Sequence, residues 1–166
     1  MISVIIETNN NAGDLARTLS SLVPAAVEGL VGEVIVRDHG SGDATRKVCD
    51  EAGAHWLEAG DIGQAIAQAR GAWIMLLVPG ARLLEGWTEP AAAHMRKSTS
   101  PARFSRSRAH RLGFLARIGR RQEALAEGLL ITKKQAAALA RSGMTSEALA
   151  RGLSATQIPA EIAPAD

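Results

Sequence analysis

Four short apolar runs, each followed by a polar turn and a stretch of helical spacing, organise the first half of the chain. Ile2–Ile6 is continuous and rich in β-branched residues, the pattern of a strand buried on both faces. Glu7–Gly13 is a polar loop with three Asn. Asp14–Leu22 then sets Leu15, Leu19 and Leu22 at helical spacing, with Pro24 beyond them as a stop. Val34–Val36 is a second buried strand, and His39-Gly40-Ser41-Gly42 a tight loop. Asp43 reads as the cap of a helix that runs to Ala52 and ends at Gly53. His55–Glu58 is a third strand, Ile62–Arg70 a helix stopped by Gly71, and Trp73–Val78 a fourth strand ending in Pro79-Gly80.

Strands alternating with helices predict an α/β fold with a mostly parallel central sheet flanked by helices. Ligands of such sheets bind beyond the carboxyl ends of the strands. Here those ends are Glu7–Asn11, Arg37–Asp43, Ala59–Gly63 and Pro79–Arg82. After Pro90 the texture changes. Ala91–Lys97 is expected to be helical, Ser98–Arg111 a loop or mobile segment, and Leu112–Ala126 an amphipathic helix. Leu129–Thr132 follows as a strand, Lys133–Arg141 as a helix, and Ser146–Leu153 as a short helix. A tail begins at Ser154 and holds Pro159 and Pro164. No repeat and no clean linker divides the chain, so residues 1–166 are expected to form one domain.

Charge changes the picture more than composition does. The net charge of +2 hides an asymmetry: residues 1–90 carry six Lys/Arg against twelve Asp/Glu, and residues 91–166 carry thirteen against five. Nine basic residues and no acid fall between Pro90 and Gln122. Such a stretch is either a solvated surface or an attractor of phosphate and anionic membrane. Nucleic acid is disfavoured, because only Phe104 and Phe114 interleave the charges. The single cysteine, Cys49, allows no internal disulfide and sits in a helical pattern as a packed thiol. The start Met1-Ile-Ser-Val-Ile-Ile lacks a basic leader region, and no run approaches the roughly 20 apolar residues of a membrane helix. The expectation is a cytoplasmic protein, with a peripheral place at the inner face of the membrane left open by the basic stretch.

Three strand ends carry a resemblance. ISVIIETNNNAGDLARTLSSL, EVIVRDHGSGDAT and AWIMLLVPGARLLEGW resemble, in order and spacing, the family 2 glycosyltransferases, over about residues 2–88. The resemblance continues weakly through GLLITKKQAAAL and SEALARGL. It implies a Rossmann-like GT-A fold that binds a nucleotide-diphosphate sugar of the UDP type, with residues 1–90 as the nucleotide-binding half and 91–166 as a basic acceptor-side half. It also makes a lipid-linked acceptor or anionic membrane surface the expected partner of residues 96–121.

The family opens with a strand ending P-T-x-N; Glu7, Thr8, Asn9 and Asn10 stand there, so Thr8 and Asn10 are candidate nucleotide contacts. The family's V-D-D-G-S-x-D is matched by Arg37-Asp38-His39-Gly40-Ser41-Gly42-Asp43. Asp38 falls on the carboxylate that accepts a base N–H, and Gly40 lets the backbone turn. A plain turn-forming role for Asp38 stands equally open. The family's metal-binding D-x-D falls on Val78, Pro79 and Gly80, while Arg82-Leu83 and Gly86-Trp87 still match the continuation. No metal or other cofactor is therefore expected: Mg²⁺ or Mn²⁺ would lack its carboxylates. Losing that Lewis acid costs several kcal/mol, on the order of a thousandfold in rate. The family's catalytic base aligns with Ser146; Glu147, one residue on, is turned about 100° away on a helix. His94 and His110 have no second ligand at metal spacing.

Three functions compete. One is a family member with weak or no transferase activity that retains nucleotide binding. Another is an active, metal-independent transferase in which Arg82, or arginines of residues 103–111, replace the cation; Arg82 and Glu147 are its catalytic candidates. The third is a non-catalytic scaffold or basic membrane-surface module.

Overall fold

Stacked β-branched side chains make Ile2–Thr8 (β1) the strand about which the rest is ordered. The computed structural model describes residues 1–58, 60–107 and 124–165. β1 pairs in parallel with β2 (Val31–Asp38) on one side and β4 (Trp73–Leu77) on the other, and β2 pairs in parallel with β3 (His55–Glu58). Past β4 the direction alternates. β7 (Leu129–Thr132) runs antiparallel to β4, and β6 (Ala102–Arg106) antiparallel to β7. β8 (Thr156–Ala163) lies parallel to β6, and the two-residue β5 (Arg82–Leu83) closes the order β3-β2-β1-β4-β7-β6-β8-β5. One sheet thus takes strands from both halves of the chain.

Side chains alternate across the strands and build two apolar layers. Val4, Ile6, Met75 and Leu77 pack with α1 (Ala12–Val27), α2 (Thr45–Glu51) and α4 (Thr88–Lys97). Ile5, Ile35, Ile74 and Leu76 pack with α3 (Ile62–Gln68), α5 (Lys133–Leu139) and α6 (Ser146–Ala150). Cys49 lies in the first layer, where burial pushes its thiol up to about 11. Among the described residues no helix is long and apolar enough to cross a membrane.

Three expectations need correction. Pro24 lies inside α1, which continues to Val27. The carbonyl that Pro24 leaves without a donor is that of Ser20, on the solvent face, where water can satisfy it. Ser98–Arg111 is not a loop throughout: Ala102–Arg106 forms β6, with Phe104 fully buried and edge-on to Trp87 at 6.0 Å. The tail after Ser154 is mostly strand β8. Pro159 fits because the register shifts there: Phe104 faces Ile158, but Ser105 faces Glu161. Such a bulge needs no ladder donor from proline. Of the helix expected over Leu112–Ala126, residues 112–123 lie outside the described residues, as do His110 and Phe114, and Ala124–Glu127 is a turn.

Glu33 anchors the amino ends of the strands. Its carboxylate accepts from the Ser3 hydroxyl at 2.6 Å, the Arg70 N–H at 2.6 Å and Arg70 Nε at 2.9 Å. Burial pushes this carboxyl up, but the Ser3 hydroxyl and the Arg70 N–H and guanidinium outweigh it and hold it below 4.5. A carboxyl depressed in the folded state contributes stability above its ordinary value and loses it as pH falls through the folded one. Glu33→Gln should therefore destabilise at pH 7, with the deficit shrinking as pH drops below 4.5. Urea unfolding of both proteins across that range checks it.

Candidate functional site

Parallel pairing of β1 and β2 sets Glu7 opposite Arg37 and Thr8 opposite Asp38 at the carboxyl ends of the strands. The two loops that follow are stitched together. His39 N–H donates to Thr8 O at 2.9 Å, and Asn9 Nδ2 to His39 O at 2.7 Å. Asn10 N–H donates to Ser41 Oγ at 2.8 Å, and Gly42 N–H returns to Asn10 Oδ1 at 2.9 Å. Ala12 N–H donates to Asp43 Oδ2 at 3.2 Å. The structure therefore brings Thr8, Asn10, Asp38 and Gly40 into one cradle. Asn10 holds φ 52°, a left-handed conformation that asparagine tolerates.

Inside the cradle, Asp38 is 5% exposed and shapes the turn. Its carboxylate accepts from Gly40 N–H at 3.0 Å, from Ser41 N–H at 2.8 Å and from the Ser41 hydroxyl. Gly40 sits at φ 89°, a conformation side chains disfavour. The neighbouring Asp43 carboxyl lies below its usual range because the Thr45 hydroxyl and N–H bond to it; these bonds hold it at the start of α2. Thr8 differs: it is 3% exposed and its hydroxyl has no partner among the described residues. A buried hydroxyl left unpaired carries a desolvation cost.

A second cluster lies on the α6 side of the sheet, where Glu7 bonds to the Arg37 guanidinium. Arg37 is 2% exposed and also donates to Gly60 O. The same Glu7 Oε1 accepts Ser146 N–H at 2.9 Å, and His39 Nε2 lies 3.9 Å from Oε2. The Ser146 backbone thus holds the Glu7 carboxylate, while its own hydroxyl is buried and has no partner among the described residues.

Position 78–81 is a turn. Ala81 N–H donates to Val78 O at 3.2 Å, with Pro79 second and Gly80 third at φ 92°, the residue pattern of a type II turn. Gly80 N–H is held by Thr18 Oγ1 at 2.9 Å, and a Cβ added there would meet that of Ala165 at 3.1 Å. The turn itself carries no side-chain oxygen; one carboxylate adjoins it, Asp14, whose Oδ1 would lie 3.4 Å from a Cβ at Gly80 and which is paired with Arg17. Among the described residues no group of three His, Cys, Asp or Glu is placed to hold a metal ion. The other candidates lie elsewhere. Arg82 is on β5, last in the sheet order and opposite Ala163. Glu147 accepts Ala124 N–H at 2.5 Å and Leu125 N–H at 3.0 Å, a cap for that turn. His94 packs edge-on to Trp73 and lies 2.8 Å from Ser100 O.

The chain superimposes along its whole length on the glucosyl-3-phosphoglycerate synthase of Mycobacterium tuberculosis, covering 72% of that chain at TM-score 0.70 and 16% identity. Its fold is that of the GT-A glycosyltransferases. The same synthase with Mg²⁺ and UDP gives TM-score 0.69 at 18% identity, again over all of this chain and 72% of that one. A complex of that enzyme with Mn²⁺, UDP and glucosyl-3-phosphoglycerate gives 0.68 at 16%, with the same coverage. A TPR repeat-containing protein of Synechococcus elongatus is 42% identical over 86 residues, 45% of this chain and 21% of that protein. The chain thus spans about a fifth of the length of that curated relative. No protein-family profile matches the chain.

Removing the turn's central acceptor tests the cradle. Asp38→Ala should lower stability by about 2 kcal/mol, as expected for lost hydrogen bonds to a buried charged group. It should also speed amide exchange at Gly40 and Ser41 by at least tenfold, read by NMR. Unchanged exchange at both would mean the carboxylate does not hold the loop.

Proposed function

We propose that the chain is a glycosyltransferase family 2-like protein that retains nucleotide-diphosphate binding, UDP type, with weak or no transferase activity. One observation carries this reading: the end of β4 is a closed Val78–Ala81 turn without side-chain oxygen, beside an intact and interlocked β1/β2 cradle. For a base and ribose the cradle offers the exposed amide groups of Asn9 and Asn10, each with one N–H not used within it, while the donors of the 38–42 loop hold the cradle itself together. What is missing is charge neutralisation at the diphosphate and a base beside the acceptor. On this reading residues 1–166 act as one domain, 1–90 holding the nucleotide and 91–166 facing the acceptor.

Ser146 supports the same view. The base position carries a hydroxyl that cannot accept a proton near neutral pH, and Glu7 beside it is paired with the buried Arg37.

Calorimetric titration with UDP and UDP-glucose, with and without Mn²⁺, tests the proposal. Binding should be unaffected by Mn²⁺. Asn10→Gly keeps the left-handed backbone, removes the amide, and should weaken UDP about tenfold through lost hydrogen bonding. Sugar release from UDP-glucose should stay at background. No heat with either nucleotide, or turnover that rises with Mn²⁺, overturns the reading.

A further inference from the structure

Among the described residues Arg103 is a charge without a counter-ion. It lies on β6, half-buried, and its guanidinium donates to Ala124 O and, at 2.9 Å, to Ala150 O. Both partners are neutral carbonyls, and among the described residues it forms no ion pair. Taking a cation out of water without an opposite charge is costly. The side chain opens onto a cavity of about 280 Å³ between β6, the 124–127 turn and the end of α6. Arg106 and Arg151 line the same space, against one acid, Glu127, which lies 3.3 Å from Arg106 Nε. Arg151 is 70% exposed and lies 3.8 Å from Glu147. Among the described lining residues three guanidinium groups stand against one carboxylate, a charge of +2.

We infer that this cavity is a binding site for a small molecule bearing a phosphate monoester. The guanidinium fork matches phosphate oxygens in pairs. Arg103 spends two of its five N–H donors on the carbonyls and keeps three, and both Arg106 and Arg151 have free donors. The volume exceeds that of the bare ion and admits a few carbons beyond it. The two carbonyls fix the Arg103 plane in advance, so little side-chain freedom is lost on binding.

Position gives the site its meaning. β6 runs parallel to β4, two strands away in the sheet, about 10 Å at the usual spacing. α6 joins the two places directly: its first residue, Ser146, donates to Glu7, and its last, Ala150, accepts from Arg103. If the nucleotide reading holds, on which this assignment of role rests, a diphosphate leaving the β1/β2 cradle points toward this cavity. The phosphate-bearing molecule then occupies the acceptor side of the fold.

The test is calorimetry on the full chain with glycerol 3-phosphate, inorganic phosphate and UDP as separate titrants at low salt. Glycerol 3-phosphate should bind, also in the presence of saturating UDP. Inorganic phosphate should compete with it. Arg151→Ala should weaken it about tenfold through one lost charge-assisted bond, and Arg103→Met more. Arg151 is exposed, so thermal unfolding should show its variant folded and the result readable even if Arg103→Met unfolds. Absence of heat with both phosphates, or wild-type affinity in the Arg151 variant, overturns the proposal. Sedimentation with phosphatidylglycerol vesicles separates a lipid source: Arg151-dependent capture without binding of the soluble monoester also overturns it. Heat from glycerol 3-phosphate but none from UDP would leave this site standing and remove the nucleotide reading; the reverse would remove this site alone.

Discussion

The ion pair between Glu7 and Arg37 is the contact on which the candidate site depends. It joins opposite residues of the two central parallel strands, at the point where both strands give way to loops. From there it reaches two more segments: Arg37 holds the carbonyl of Gly60, and Glu7 holds the first amide of α6. Four separate parts of the chain therefore meet at one carboxylate and one guanidinium. Both side chains are largely shielded, with 3% exposure for Arg37 and 18% for Glu7. Each compensates the other, and neither could be left alone without a large penalty.

This pair gathers residues that look unrelated in the linear text. Glu7, Arg37, His39 and the Ser146 backbone lie within one cluster. The Pro-Gly turn after β4 is closed separately, by the Ala81 N–H to Val78 O bond and by Thr18.

The sequence was most legible where burial is two-sided. Ile2–Ile6, Trp73–Val78 and Leu129–Thr132 lie in the middle of the sheet, so both faces demand apolar residues and the runs are continuous. β6 and β8 lie nearer the edge and carry Arg, Ser and Pro. Their polar groups are satisfied by distant carbonyls, Arg103 by Ala124 and Ala150 and Ser105 by Ile158, and no local pattern encodes such partners. The cradle was legible as a set, since Thr8, Asn10, Asp38 and Gly40 do meet. The role of Asp38 was not, because a turn-holding carboxylate and a ligand-holding one share the same sequence. The partners of Glu147 were hidden for a similar reason: its bonds go to Ala124 and Leu125, more than twenty residues away. The opposite charges of Glu7 and Arg37, at the ends of two strands predicted to pair, were the signal that could have revealed the cluster.

The central claim is that Glu7 and Arg37 act together as one structural unit. A double-mutant cycle on Glu7→Gln and Arg37→Met, read by urea unfolding, tests it most directly. Each single change should cost about 3 kcal/mol, because each strands a buried charge or removes its partner. The double change should cost little more than either one, a coupling of about 2–3 kcal/mol. Additive losses would mean that the two residues serve separate purposes and that the cluster is no unit.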